Sequence, residues 1–118
     1  VEDKEFEEIC GKKIFLEHIR KHDFQWYHLP IVDYKVPETD FFRNWRRVCH
    51  TLKQEFQRGN SIGLHCKGGI GRSGTVAAML LIEYGKENSV AIEQVRQKRK
   101  GAIENQLQED FVRNFSIE

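Results

Sequence analysis

The stretch "HCKGGIGRSG", residues 65–74, places one cysteine and one arginine among four glycines. The letters before it, "SIGLHC", have the composition of a short buried strand, whereas "TVAAMLLIEYG" after it is apolar nearly all round a helix. The sequence therefore predicts a glycine-rich turn between a strand and a central helix, with Cys66 and Arg72 carried on that turn.

Two known glycine patterns match this turn by letter. "GIGRSG" fits the GxGxxG pattern of dinucleotide-binding turns, and "GIGRSGTV" fits the glycine-rich pattern of kinases. The dinucleotide interpretation lacks a second strand ending in an acidic residue, and the kinase interpretation lacks its lysine, catalytic-loop and DFG segments. Both leave Cys66 and Arg72 unused. A glycine-rich turn with an idle cysteine is the simplest alternative.

A loop that binds a tetrahedral anion uses every residue of the stretch. Such a loop needs glycines where successive backbone N–H groups turn inward, and the helix that follows adds the positive end of its dipole. An arginine can also hold two phosphoryl oxygens through its bidentate fork. The residues predicted to bind phosphate are Lys67, Gly68, Gly69, Ile70, Gly71 and Arg72.

The same surroundings predict a reactive sulfur at Cys66. Backbone amides, a helix N-terminus and a cation favour the thiolate, because they lower the pKa of a cysteine thiol. Ser73 follows the arginine and can donate a hydrogen bond to that sulfur, which makes the sulfur a better leaving group. The pattern thus predicts phosphoryl transfer through a phosphocysteine intermediate.

This chemistry also needs a group that protonates the leaving oxygen. The loop "LPIVDYKVP" offers Asp33 between Pro30 and Pro37. Asp33 can act as a general acid and then, as a carboxylate, as a general base toward water. A turn-capping aspartate is the alternative for this position. Glu38 and Asp40 lie beyond the second proline and are the lower-ranked acids.

Apolar spacing predicts the remaining elements. Strands are expected at 24–31 and 61–66, and helices at 7–21, 41–56, 74–84, 89–99 and 105–115. Because two strands cannot form a sheet that carries five helices, we expect further strands before Val1, in a longer parent chain. The prediction is one α/β domain over residues 1–118.

Composition indicates the broad class of protein. The chain has 118 residues, 39% of them hydrophobic, and a formal net charge of +1, so nothing favours nucleic acid or an anionic membrane as a partner. No apolar run reaches the roughly 18 residues of a membrane helix. Three cysteines without a CxxC pair argue against disulfides or a metal site and favour a cytoplasmic protein. Cys10 and Cys49 fit helix stripes and are predicted to be core residues.

With Cys66, Arg72 and Asp33 in these places, the sequence resembles the cysteine-dependent protein phosphatases, whose signature is His-Cys-x5-Arg-Ser/Thr. The segment "YHLPIVDYKVP" resembles the Pro-Ile-x-Asp acid loop of the dual-specificity branch typified by cyclin-dependent kinase inhibitor 3. The later "RKGAIENQLQEDF" is similar to the Arg-x-Gly-x-Ile segment of these enzymes. The resemblance covers about residues 24–115.

The resemblance implies a largely parallel central sheet flanked by helices, with the phosphate-binding loop between strand and helix. It implies that no metal or cofactor is needed. It implies that Cys66 is the nucleophile and that Arg72 binds phosphate. It also implies that Asp33 is the general acid and base and that Ser73 donates a hydrogen bond to the departing thiolate.

Two supporting roles also come from the resemblance. His65 would orient the loop and support the thiolate, although a lone histidine is more often simply buried and hydrogen-bonded. Gln108 stands where the family often has a glutamine that positions water, with a solvated helical glutamine as the alternative. Glu104 departs from the pattern, because relatives with two glutamines have the first one there.

The implied substrate is a phosphorylated protein, with phosphotyrosine and phosphoserine or phosphothreonine as targets. Lys67 lies inside the loop as in phosphoinositide phosphatases, but those carry another lysine where this chain has Ile70. A phosphoinositide phosphatase and a phosphate-binding module with weak turnover are therefore the alternatives. The sequence indicates no particular oligomeric state.

Overall fold

The computed structural model describes residues 1–9, 11–68 and 70–117, without the side chain of Ile9. Cys10 and Gly69, predicted to serve the core and the phosphate-binding loop, lie outside the described residues. Six helices occur in the described ranges: α1 (Asp3–Ile9), α2 (Lys12–Lys21), α3 (Thr39–Gln57), α4 (Gly71–Glu83), α5 (Asn88–Lys98) and α6 (Gln106–Asn114).

The predicted parallel sheet is wrong, since no described residue adopts β-strand structure. Residues 24–31 and 61–66 carry strand-like composition, but a strand forms only where a neighbour completes its backbone hydrogen bonds. The second segment is also not buried, because Leu64 is 37% exposed and Ile62 alone of its apolar residues packs against the core. The described chain is therefore helical rather than α/β.

The N-terminal helix predicted over 7–21 is two helices, α1 and α2. Gly11 lies between them with φ +86°, a left-handed backbone angle that glycine adopts without steric cost. The break lets α1 take its own direction and pack against α2. The carboxylates of this short helix reach the predicted site.

Helix α3 confirms the clearest amphipathic pattern of the sequence. Its buried residues recur at steps of three and four positions: Phe41, Trp45, Val48, Cys49 and Leu52. Gly59 follows with φ +83°, as expected of a glycine after a helix end. Burial raises the pKa of Cys49, in agreement with its predicted core position. Of the described helices, none has both the length and the apolar character needed to cross a bilayer.

Helix α4 is central, as its apolar composition predicts. Met79 and Leu80 pack with α3 in one hydrophobic cluster, while Ala78 and Ile82 pack with α5 and α6 in a second. A helix buried on two sides is held firmly in place. Its first turn contains Arg72 and Ser73, so the core of the protein fixes the position of both.

Candidate active site

The predicted nucleophile lies directly beside the start of α4. Residues 61–66 lead into the loop, and α4 begins at Gly71. The Sγ atom of Cys66, which is half-buried, lies 3.5 Å from Ser73 Oγ, within hydrogen-bonding distance for sulfur. The thiol can donate to this hydroxyl, and the hydroxyl can donate to a thiolate. The structure thus brings these two predicted residues together.

Arg72 is buried in the first turn of α4, with 3% of its surface exposed. Its Nη1 and Nη2 donate to Glu5 Oε1 at 2.6 Å and to Glu5 Oε2 at 2.8 Å. Nη1 also donates to the carbonyl oxygen of Ile31 at 3.0 Å. The guanidinium is therefore fixed by α1 on one side and by the acid loop on another.

The electrostatics keep both members of the Arg72–Glu5 pair charged. Hydrogen bonds from Arg72 lower the pKa of Glu5 from 4.5 to about 2, although burial acts in the opposite direction. The pKa of Arg72 is raised, first by its hydrogen bonds to Glu5 and also by the charges of Asp33 and Cys66.

The predicted acid, Asp33, lies at the same guanidinium. Its Oδ1 is 3.3 Å from Arg72 Nη2, and the carboxylate remains half-exposed. The backbone N–H of Tyr34 donates to the same Oδ1 at 3.0 Å. A carboxylate that is accessible to solvent and next to the arginine predicted to bind phosphate could exchange a proton with a bound ester. Glu38 and Asp40 lie at the start of α3, where Asp40 pairs with Arg43 instead.

The acid loop is tied to the start of α6 by two side chains. Asn105 caps α6 by accepting a hydrogen bond from the backbone N–H of Gln108, and its amide donates to Tyr34 O at 2.8 Å. Gln108 is fully buried, donates to Lys35 O at 3.2 Å and accepts from the backbone N–H of Glu104 at 3.0 Å. It is therefore not a solvated glutamine, while the water-positioning role stays a prediction.

The predicted phosphate-binding loop contacts its surroundings at several described positions. The N–H of Ile103 donates to the carbonyl oxygen of Ile70 at 3.2 Å. The carboxylate of Glu104 lies against Gly71, where any side chain would overlap it. Lys67 Nζ is 2.6 Å from Glu8 Oε2. The loop is thus held by α1 and by the segment before α6.

His65 is exposed, and its ring packs on that of Phe15 with 5.6 Å between centroids. The structure places it next to the loop, against α2, and the orienting role remains a prediction. No group of three or more metal-ligating side chains occurs within the described ranges.

Sequence reasoning missed Glu5 and Glu8, the two carboxylates of α1 that hold the cations of the loop. Their spacing of three residues puts both on one face of a helix, which was the available signal. That spacing is also common on solvent-exposed helices, so it does not point to Arg72 by itself.

A family described as "Swiss Army Knife protein, DSP-PTPase phosphatase domain" matches residues 12–112. The chain belongs to this family of cysteine-dependent, dual-specificity-type phosphatase domains. It is 29% identical to "Protein tyrosine phosphatase PRL-1" of Leishmania major, covering 91% of this chain and 64% of the relative. It is 33% identical to "PRL-1 phosphatase" of Drosophila melanogaster, covering 91% and 60%. The chain thus spans less than two thirds of the length of these relatives.

A solved structure shows the same likeness. The crystal structure of a mutant form of Tk-PTP superposes with a TM-score of 0.77 at 29% identity, covering 95% of this chain and 69% of that one. These comparisons confirm the resemblance to cysteine-dependent phosphatases. The narrower likeness to cyclin-dependent kinase inhibitor 3 stays a prediction.

Proposed function

We propose that this chain is the catalytic domain of a protein phosphatase that hydrolyses phosphomonoesters through a phosphocysteine intermediate. The proposal treats residues 1–118 as one domain. Its substrates are phosphotyrosine and phosphoserine or phosphothreonine in proteins, in line with relatives named protein tyrosine phosphatases. Because the nucleophile must stay a reduced thiol, the proposal includes a reducing compartment such as the cytoplasm.

The observation that carries the proposal is the convergence of four side chains. Cys66 Sγ lies 3.5 Å from Ser73 Oγ, and Arg72 Nη2 lies 3.3 Å from Asp33 Oδ1, while Arg72 and Ser73 are neighbours on α4. Both contacts involve residues of the first turn of α4, which supports assigning nucleophile, hydroxyl donor, phosphate ligand and acid to one site. A structural turn would not require this combination of residue types.

Arg72 offers phosphate a specific edge. Glu5 occupies the end-on fork formed by Nη1 and Nη2. A guanidinium has a second fork, formed by Nε–H and the remaining N–H of Nη2. Asp33 Oδ1 lies 3.3 Å from Nη2 on that side, so two phosphoryl oxygens would bind the side-on fork by displacing the Asp33 carboxylate from it. Glu5 then positions the arginine instead of competing for the same donors.

The reaction proceeds in two displacements. The Cys66 thiolate attacks phosphorus, the S–P bond forms and the P–O bond to the substrate breaks, while Asp33 gives its proton to the leaving oxygen. Water then attacks the phosphocysteine, Asp33 takes the water proton, and the S–P bond breaks. Ser73 donates to the departing thiolate. The products are the dephosphorylated side chain and inorganic phosphate.

The first test measures release of an aryl alcohol from an aryl phosphate, with chelator present, by wild type and the Cys66→Ser variant. Turnover that is lost in Cys66→Ser supports phosphocysteine chemistry. The matched control is Cys49→Ala, which removes a buried thiol of α3 and should retain turnover. A wild type that folds and binds phosphate but releases no alcohol would instead support a phosphate-binding module.

A further inference from the structure

The only lysine of the phosphate-binding loop is engaged by a carboxylate of α1. Lys67 Nζ lies 2.6 Å from Glu8 Oε2, with the two side chains 44% and 58% exposed. The hydrogen bond to Glu8 raises the pKa of Lys67, so the ammonium group is charged at neutral pH. The positive charge of Lys67 at the surface of the loop is therefore balanced by the negative charge of Glu8.

Lys67 pairs with the same helix, α1, that holds Arg72 through Glu5. Lys67 directly follows Cys66, and the charges of Glu5 and Asp33 act on it in addition to Glu8. Those two carboxylates are the ones that contact Arg72. A substrate can carry a second negative group next to the phosphoryl group that reacts. That group would find Lys67 already paired with Glu8 and would also be repelled by the carboxylates of Glu8 and Asp33.

We propose that Glu8 is a specificity-determining residue that selects substrates with a single, isolated phosphate. A second phosphate next to the reacting one carries a charge of about −1.5 to −2 and requires a cationic partner. Glu8 withholds that partner by pairing with Lys67. The inference rests on the proposed function, since it assumes that the loop binds a phosphomonoester. It also explains why a loop lysine need not indicate a phosphoinositide substrate.

The Lys67–Glu8 ion pair is expected to contribute little to stability, because exposed ion pairs add little to the free energy of folding. Glu8→Gln is therefore expected to fold as the wild type does. This makes substrate selectivity, rather than folding, the quantity that responds to the substitution.

The test measures binding, independent of turnover, with two peptides of one sequence. One carries a single phosphonomethylphenylalanine, a phosphotyrosine analogue that cannot be hydrolysed, and the other carries two in succession. Calorimetry gives the ratio of the two dissociation constants for each protein. Glu8→Gln should improve binding of the doubly charged peptide, relative to the singly charged one, by roughly threefold to tenfold. The gain should shrink between about 50 mM and about 500 mM salt.

Two controls test whether the gain in binding comes from the Glu8–Lys67 pair. Glu93→Gln removes an exposed carboxylate of α5 and should leave the ratio unchanged. In a Lys67→Met background the gain from Glu8→Gln should vanish, because the lysine is its proposed origin. A gain below about twofold, or one that persists without Lys67, overturns the proposal.

Peptide binding and aryl phosphate turnover, taken together, distinguish this proposal from the proposed catalytic function. A wild type that binds the singly charged peptide but never hydrolyses aryl phosphate contradicts the proposed function and leaves the selectivity comparison valid. Failure of wild type and Glu8→Gln to bind either peptide contradicts both.

Discussion

Glu5 and Arg72 form a buried, bidentate ion pair across 67 positions of sequence, with N–O distances of 2.6 and 2.8 Å. The pair joins α1 to the first turn of α4. Each charge is removed from water, and such pairs are retained only when geometry and hydrogen bonding are both satisfied. The backbone N–H of Glu2 and the carbonyl of Ile31 complete this pair.

Glu5→Gln should destabilise the protein by roughly 3 kcal/mol at pH 7, because it removes the buried, bidentate countercharge of Arg72 and leaves only the half-exposed carboxylate of Asp33. Denaturant unfolding measures the free energy of unfolding directly. Glu7→Gln, an exposed substitution on the same helix, is the control and should change that energy by less than about 0.5 kcal/mol. Equal effects of the two substitutions would contradict a role for the buried pair.

The contribution of Glu5 should also depend on pH with a defined sign. The pKa of Glu5 is lowered in the folded protein to about 2 from 4.5, so its stabilisation is complete above pH 4.5 and is lost as pH falls toward 2. The difference in unfolding free energy between wild type and Glu5→Gln should therefore fall to roughly half or less of its neutral value by about pH 3. A difference that stays constant over this range would contradict the assigned pair.

Asp33→Asn should lower kcat by about 10²- to 10⁴-fold on esters with a poor leaving group, such as phenyl phosphate. A good leaving group such as nitrophenolate needs less protonation, so the loss should be smaller there. Asp40→Asn is the matched control, because this exposed carboxylate pairs with Arg43 at the start of α3. If Asp40→Asn shows the leaving-group dependence and Asp33→Asn does not, the general acid has been assigned to the wrong residue.

Ser73→Ala should slow the second displacement rather than the first. Its hydroxyl lies 3.5 Å from Cys66 Sγ, and a hydrogen bond to a charged group contributes about 1.5 to 3 kcal/mol, or about 10- to 100-fold in rate. Rapid mixing should show a burst of aryl alcohol close to one equivalent, followed by slow turnover. Ser89→Ala, on α5, should show no such burst. A reduced burst rate in Ser73→Ala would place the hydroxyl in the first step instead.

Helices α3 to α6 were predictable because their signals are local. The spacing of Phe41, Trp45, Val48 and Leu52 defines a stripe within one segment, and the Asn105 cap lies three residues from its donor, the backbone N–H of Gln108. Each pattern lies within one segment that is shorter than about five helical turns. The site residues proposed on the turn at 65–74 were likewise predicted from contiguous sequence.

The sheet and the α1 carboxylates were not predicted correctly because they depend on distant partners. Residues 61–66 have the composition of a strand, but pairing is a property of two segments, and composition describes only one. Glu5 has the features of a surface glutamate in a charged helix. Only the folded chain brings it to Arg72, where the low dielectric of the interior makes the interaction strong.

Gln108→Met should reveal whether this buried side chain supports structure, positions water, or does both. Methionine is of similar size but leaves Lys35 O and the Glu104 N–H without their partner, which should destabilise the protein by about 2 to 4 kcal/mol. Because Lys35 is part of the acid loop that carries Asp33, kcat should fall together with stability. Gln97→Met, on the exposed face of α5, should change neither. Unchanged unfolding with slowed phosphocysteine hydrolysis would contradict the structural role and favour the water-positioning one.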